Sequence, residues 1–188
     1  MATVVLLYKA QDVKDSGWVD ENVDEKIIRA CIEVAQDVYT RDIIGTGLFD
    51  ELKSQKQAGT LTTLNTTLLT YVAKSLLFWT LWEGMDSPGF NMKIRNKAVM
   101  TSSSDNSQPS QLNELAKMAS YFKDKAQYYD ERLIRYLIQN QSSFPLYYNP
   151  GNGVDTIHPR GSSYNTGWAM GSGSDCTTYR GPDSTIDL

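Results

Sequence analysis

The sequence contains little histidine or cysteine: His158 is the single histidine, and Cys31 and Cys176 are the two cysteines. Three such side chains cannot complete a four-ligand Cys/His zinc site, which excludes structural zinc of that kind. A serine or cysteine nucleophile normally needs a nearby base, and His158 is the one histidine that could serve. We therefore expect no metal site, no cofactor and no catalytic residues, with both cysteines as free thiols.

The sequence also lacks a surplus of positive charge, since 18 Lys and Arg against 22 Asp and Glu give a formal net charge of −4. A protein dedicated to DNA binding is therefore not expected. Long hydrophobic runs are missing as well. The most apolar stretch, residues 68–82, contains polar side chains and is shorter than the ~20 residues of a membrane span. Residues 4–8 lack the flanks of a signal peptide, so we expect a cytoplasmic protein without membrane association.

Glycine is concentrated late in the chain, where residues 151–188 hold 7 of the 13 glycines and no hydrophobic periodicity continues. This predicts a helical domain over residues 1–148 and an extended Gly/Ser/Tyr-rich C-terminal arm over 149–188. Disordered segments are usually poor in aromatic residues, which favours an arm that becomes ordered on a neighbouring subunit. The candidate inter-subunit contacts of the arm are Tyr147, Tyr148, Tyr164, Trp168 and Tyr179.

Hydrophobic spacings of three and four predict a mainly α fold for the first domain, a bundle of about four helices. We expect a short strand at residues 3–8, followed by a helix that begins with a capping box at Asn22 and Glu25. A short second helix should be closed by Gly59, and a third should end at Gly84. The apolar faces expected for the three helices are Val23, Ile27, Cys31, Val34 and Val38; Leu48, Phe49 and Leu52; and Leu61, Leu64, Leu68, Val72, Leu76 and Trp79.

The hydrophobic period changes to two after Phe90, which predicts a small inserted β-hairpin or loop at about residues 90–107. One face of this strand is basic. Its Lys93, Arg95 and Lys97 are candidates for contact with phosphate or with an acidic protein surface. The alternative is that these charges protect an exposed strand from aggregation.

The clearest periodic signal predicts one very long C-terminal helix of roughly 30 residues, about 45 Å in length, which exceeds a compact bundle core. Phe144 and Pro145 should end it. Its apolar positions alternate steps of three and four: Leu112, Leu115, Ala119, Phe122, Ala126, Tyr129, Leu133 and Tyr136.

Five segments in chain order form a recognisable pattern: residues 32–37, the link 42–52, the helix end 81–84, the strand residues 95–99 and the helix residues 128–133. Together they resemble the head-to-tail connector, or adaptor, proteins of tailed bacteriophages, closest to the ring proteins of crAss-like phages. The resemblance covers about residues 1–145 and depends on the whole order of elements.

The resemblance implies a structural virion protein without enzymatic activity, assembled in the host cytoplasm and located at the head-to-tail junction. Such a subunit forms a ring of twelve copies at the portal vertex, where it contacts the portal protein and downstream neck or tail proteins. Genomic DNA passes through its channel without specific binding, for genome retention and ejection. Residues 90–107 would face the channel or the adjoining ring.

A second class of function stays open from the residues themselves. A non-enzymatic helical binding module could contact nucleic acid or an acidic protein through Lys93, Arg95 and Lys97. Removal of the three cations distinguishes the two classes. It should weaken DNA binding by a binding module, whereas a connector would lose assembly at most.

Overall fold

A computed structural model of the chain describes residues 4–85 and 112–160, with the backbone alone over 112–115. In these ranges the fold is mainly helical, as predicted. The helices are α1 Ala10–Asp15, α2 Glu25–Ala35, α3 Arg41–Ile44, α4 Thr46–Ala58, α5 Thr63–Gly84, α6 Leu112–Gln139 and α7 Pro145–Tyr148. A π-helical turn, Gln36–Thr40, joins α2 to α3, and a 3-10 turn, Gln141–Ser143, lies between α6 and α7.

Helix α5 is the central contact element of the described fold, because it packs against both α2 and α6. Its buried residues Leu68, Val72, Leu76 and Trp79 follow helical spacing and form one stripe. Trp79 touches both neighbours, because its indole N–H donates to Asp130 of α6 and its ring stacks on Tyr39 in the turn after α2. The other side of α5 is exposed to solvent.

Three of the predicted helices agree with the structure. Helix α4 ends at Ala58, before Gly59. In α5 the expected positions Leu68, Val72, Leu76 and Trp79 are all buried. The three-four stripe predicted a helix through Tyr136, and α6 runs over 28 residues from Leu112 to Gln139. Its residues Phe122, Ala126 and Leu133 are fully buried.

The predicted apolar face of α2 is confirmed at Cys31, which is buried, and is wrong at Val34 and Val38. Val34 and Val38 are 44% and 52% exposed, whereas the fully buried positions are Ile28, Ile32 and Ala35. Both sets have helical spacing, and the larger buried set faces α5. The two valines therefore lie on a flank that no described element covers.

The predicted N-terminal strand is also wrong over residues 4–8, which contain no strand. This segment pairs with a side chain: the buried amide of Gln36 accepts a hydrogen bond from the Leu7 backbone N–H at 3.0 Å and donates to the Val5 carbonyl at 3.2 Å. The start of α2 needs correction too. Asp24, not Asn22, caps the helix, because its carboxylate accepts from the Lys26 backbone N–H at 2.9 Å.

The predicted β element at residues 90–107 lies outside the described residues. Phe144, expected to end the long helix, follows it by a few residues and is fully buried. Pro145 starts the short helix α7, where a missing N–H costs nothing. The sequence missed α1, which at six residues is too short to show a repeat.

We expect Phe122→Ala to lower the free energy of unfolding by about 3–5 kcal/mol, because it removes a fully buried ring that packs edge-on against Trp18. The control is Tyr128→Ala on the same helix, where the side chain is 56% exposed and the loss should stay below about 1 kcal/mol. Urea unfolding of both variants checks this, and equal losses would contradict the placement of Phe122.

Candidate interaction surfaces

Most of the residues proposed from the sequence as contacts lie outside the described ranges: Lys93, Arg95, Lys97, Tyr164, Trp168 and Tyr179. Of the remaining two, Tyr147 is only 4% exposed and belongs to the chain's own core. Its ring packs edge-on against Tyr148, at 5.0 Å between centroids. Tyr147 must therefore be corrected to a core residue, whereas Tyr148, 42% exposed, is accessible to a neighbour.

The first exposed apolar surface lies on the flank of α2, and we call it the α2 face. It contains Val34 and Val38, and Val34 also lines an open groove of about 440 Å³ with Ile27 and Ala30. Cys31 lies at the same groove as a free, buried thiol. Burial, with a smaller contribution from the negative charge of Glu83, raises the pKa of Cys31 to about 11. The thiol therefore stays protonated and acts as an apolar wall.

The second exposed apolar surface lies on α6, and we call it the α6 face. Tyr121 and Tyr128 are 45% and 56% exposed. They are seven residues apart, so they share one side of the helix, turned away from the buried stripe of Phe122, Ala126 and Leu133. Tyrosine combines a large contact area with a polar group, and it is enriched at protein interfaces for that reason.

The two faces lie on different parts of the described fold. The α2 face belongs to α2 and the turn that follows it, whereas the α6 face belongs to the side of α6 turned away from its buried stripe. They also differ in chemistry, since one is aliphatic and the other is aromatic. Two different surfaces are the minimum for a head-to-tail contact between identical subunits.

The first residues of the predicted arm form a strap across α3 and the start of α4. The Thr46 N–H donates to the Ile157 carbonyl at 3.0 Å, and the Ile157 N–H donates to the Thr46 hydroxyl at 2.9 Å. The Arg160 N–H donates to the Asp42 carbonyl at 3.1 Å. Ion pairs accompany these bonds: Arg41 with Asp155 at 2.9 Å, and Arg160 with Asp42. The strap, residues 149–160, thus lies on the helical body.

Gly45 and Gly47 make room for the strap. A Cβ on Gly47 would lie 2.8 Å from the Pro150 carbonyl oxygen and 2.9 Å from its Cα, which are backbone atoms that cannot rotate away. A Cβ on Gly45 would meet the Pro159 ring at 2.8 Å, and the φ of +78° there also favours glycine. The two glycines of this Gly-x-Gly spacing therefore leave the space that the strap occupies.

We expect Gly47→Ala to displace the strap and to lower stability by about 1–3 kcal/mol through overpacking. Amide hydrogen exchange should report the loss locally, with faster exchange at Ile157 and Arg160 than in the parent protein. The control is Gly153→Ala, whose Cβ would meet only the movable hydroxyl of Thr156, at 3.2 Å. If the Ile157 amide stays equally protected in the Gly47 variant, the strap does not need glycine at this position.

A buried carboxyl group joins α5 to α6. Asp130 on α6 is 3% exposed. It accepts hydrogen bonds from the Ser75 hydroxyl and from the Trp79 indole N–H, the latter at 3.0 Å to Oδ2 and 3.2 Å to Oδ1. Ser75 and Trp79 are four residues apart and project from one side of α5. Trp79 in turn stacks on Tyr39, whose hydroxyl donates to Glu83 at 2.7 Å.

Burial raises the pKa of Asp130 to about 7, although the hydrogen bonds from Ser75 and Trp79 act in the opposite direction. The carboxyl therefore binds its proton more tightly in the folded chain than in the unfolded chain. Its stabilising effect is complete below the unfolded pKa of 3.8 and is lost as the pH rises through about 7. Sequence reasoning treated position 130 only as part of a helix, because a single carboxylate beside an apolar stripe gives no periodic signal.

We expect Asp130→Asn to be more stable than the parent at pH 8, by up to roughly 4 kcal/mol, because the amide oxygen still accepts from Ser75 and Trp79 and no charge is buried. The difference should shrink towards zero at pH 4. Urea unfolding across this range measures it. The control for removing one carboxylate from α6 is Asp124→Asn, at an exposed position. A difference that is independent of pH would contradict the buried titration.

No group of three or more His, Cys, Asp or Glu side chains suited to a metal ion occurs among the described residues. In the same ranges no helix is both long enough and apolar enough to cross a membrane.

A comparison with known protein families finds one match, to the model described as a family of unknown function (DUF6712), over residues 40–157. The match covers more than half of the chain. It begins at the end of the π-helical turn and extends through the strap to Ile157, so it includes both partners of the Thr46–Ile157 hydrogen bonds. No curated protein matches the chain, and no solved structure does.

Proposed function

We propose, from the premise that this chain belongs to the DUF6712 family, that it is a structural virion protein that forms a ring at the portal vertex and joins phage head to tail. The ring of twelve copies continues the channel for genome retention and ejection, between the portal protein and the downstream neck or tail proteins. The family's function is unknown, so the proposal is supported by the element order of the sequence and by the surfaces of the structure.

The observation that carries the proposal is the pair of different exposed apolar surfaces, the α2 face and the α6 face. In an isologous dimer, one surface meets its own copy and is used up. In a head-to-tail contact, the α2 face of one subunit meets the α6 face of the next. The growing assembly then keeps one free surface of each kind, one at each end, and the chain of contacts continues until the rotation closes a ring.

The strap supports the proposal because it sets where the arm leaves the body. Residues 150–160 follow α3 and α4 and are tied down by backbone hydrogen bonds at Thr46 and Asp42. The rest of the arm, with Tyr164, Trp168 and Tyr179, therefore starts from a fixed point on the subunit. A fixed origin lowers the entropy lost when an arm binds the adjacent subunit.

The proposal also includes three further features of the subunit: the element at residues 90–107, the long helix α6 and the net negative charge. Residues 90–107 form an inserted β-hairpin or loop that faces the channel or the adjoining ring, with Lys93, Arg95 and Lys97 as its contacts. Helix α6 is the very long helix that extends beyond a compact core. The net charge of −4 supports a conduit through which DNA passes without tight binding.

The head-to-tail arrangement is tested by breaking one face at a time. In one variant Val34 and Val38 become Glu, and in the other Tyr121 and Tyr128 become Glu. We expect native mass spectrometry and negative-stain microscopy to show rings for the parent protein, alone or with its portal protein, and single subunits for each variant. A 1:1 mixture of the two variants should give a heterodimer that grows no further, because each contributes its one intact face.

The control replaces Ser120 and Lys123 on α6 with Glu, which changes the charge of the same helix at exposed positions outside both faces and should leave rings intact. If the parent never forms rings at high concentration or with its portal protein, the proposed function is wrong. Rings that survive in both variants would retain the function and overturn the two faces as its interface.

A further inference from the structure

A groove of about 360 Å³ lies between the N-terminal segment, α2 and the end of α4. We call it the basic groove. Leu6 and Tyr8 supply part of its apolar lining, and three cationic side chains, Lys9, Arg29 and Lys56, lie around it. The sequence analysis singled out none of these three cations, because they come from separate segments that only the fold brings together.

The positive charge of the groove is only partly compensated. Among the described residues, neither Lys9 nor Arg29 forms an ion pair, and Lys56 donates to a neutral partner, the Leu7 carbonyl, at 2.6 Å. Burial and then the charge of Lys9 lower the pKa of Lys56, and Asp12 offsets this in part. Glu25 is the one carboxylate in the lining. An additional anion between Lys9 and Lys56 would relieve their repulsion.

The segment that follows the strap has the complementary chemistry. Residues 161–188 contain Asp175, Asp183 and Asp187 against Arg180 as the one basic residue, a formal charge of −2. The last of these aspartates alternate with apolar side chains, Ile186 and Leu188. Carboxylates for the cations and aliphatic groups for the Leu6 wall are therefore available from one short stretch of chain.

The groove is within reach of this segment. Arg160 is fixed at Asp42, next to the start of α4, and Lys56 lies near the far end of α4, about 20 Å away along the helices. For comparison, a random coil of 28 residues, the number in 161–188, has a root-mean-square span of about 30 Å. Tethering at this length gives an effective concentration in the millimolar range, which makes weak ion pairs sufficient for binding.

We propose that the basic groove binds the acidic end of the chain's own arm, residues 175–188, in the free subunit. The contact pairs Lys9, Arg29 and Lys56 with Asp175, Asp183 and Asp187. The inference does not require the ring: it concerns the unassembled chain, and it holds or fails on the position of the arm alone.

Zero-length carbodiimide coupling of the full-length protein tests the contact, because this reagent joins amines and carboxylates that already touch. An equal mixture of ¹⁵N-labelled and unlabelled protein at micromolar concentration separates the sources of each link. We expect links from Asp175, Asp183 or Asp187 to concentrate on Lys9 and Lys56, with both linked peptides from the same isotopic parent. The yield should fall at high salt, where exposed charges are screened.

A matched pair of variants separates the groove from general attraction. Arg29→Gln removes a cation of the groove that carbodiimide does not couple, so it should reduce the yield at Lys9 and Lys56 by up to about fivefold. Lys26→Gln removes an exposed cation of the same helix that lines the other groove, and the yield should stay at the parent level.

Three results would overturn the inference. The arm could give no links to the groove, or it could link evenly to lysines across the surface such as those of α6. In the third case about half of its links would join labelled to unlabelled chains, the share that random pairing between copies gives, which would assign the groove to a second copy. None of these results bears on whether rings form, so the inference and the proposed function can fail separately.

Discussion

The described fold depends on how α5 is fixed against α6. Ser75 and Trp79 lie on the buried side of α5, so their polar groups must find partners inside the protein. Both donate to Asp130 of α6. Because both donors are on one helix and the acceptor is on the other, the cluster fixes the register of α5 against α6. Apolar packing alone would tolerate a slip along the axis more easily.

This register has consequences for both proposed faces. Trp79 also stacks on Tyr39 in the π-helical turn, at 3.9 Å between ring centroids. The turn leads into α3, and α3 and α4 hold the strap. The position of the α6 face, the α2 face and the origin of the arm are therefore linked through one continuous set of contacts. A raised pKa at its centre means that this set is held more firmly at mildly acidic than at alkaline pH.

The sequence predicted α4 and α5, which glycine ends at Gly59 and Gly84, and α6, whose apolar repeat is long. It failed at α2, where two helical stripes share the same residues and only the position of α5 decides that Ile28 and Ile32 are buried instead of Val34. It also failed at residues 4–8, since a side-chain amide thirty residues away in the chain replaces the neighbouring strand. The strap, its close approach to Gly45 and Gly47, and the basic groove all depend on contacts between distant segments. Local sequence patterns carry no information on such contacts.

The strap also determines how the subunit would bear mechanical load. A pull on residues beyond Arg160 reaches α3 first, through the bond from the Arg160 N–H to the Asp42 carbonyl and the ion pair beside it. The force then passes to Thr46 through Ile157 before it can reach the interface of α5 and α6. The hydrogen bonds and ion pairs of the strap would therefore yield before the hydrophobic core. In a subunit whose arm is under tension, the strap can detach and lengthen the arm by some ten residues while α2, α5 and α6 stay folded.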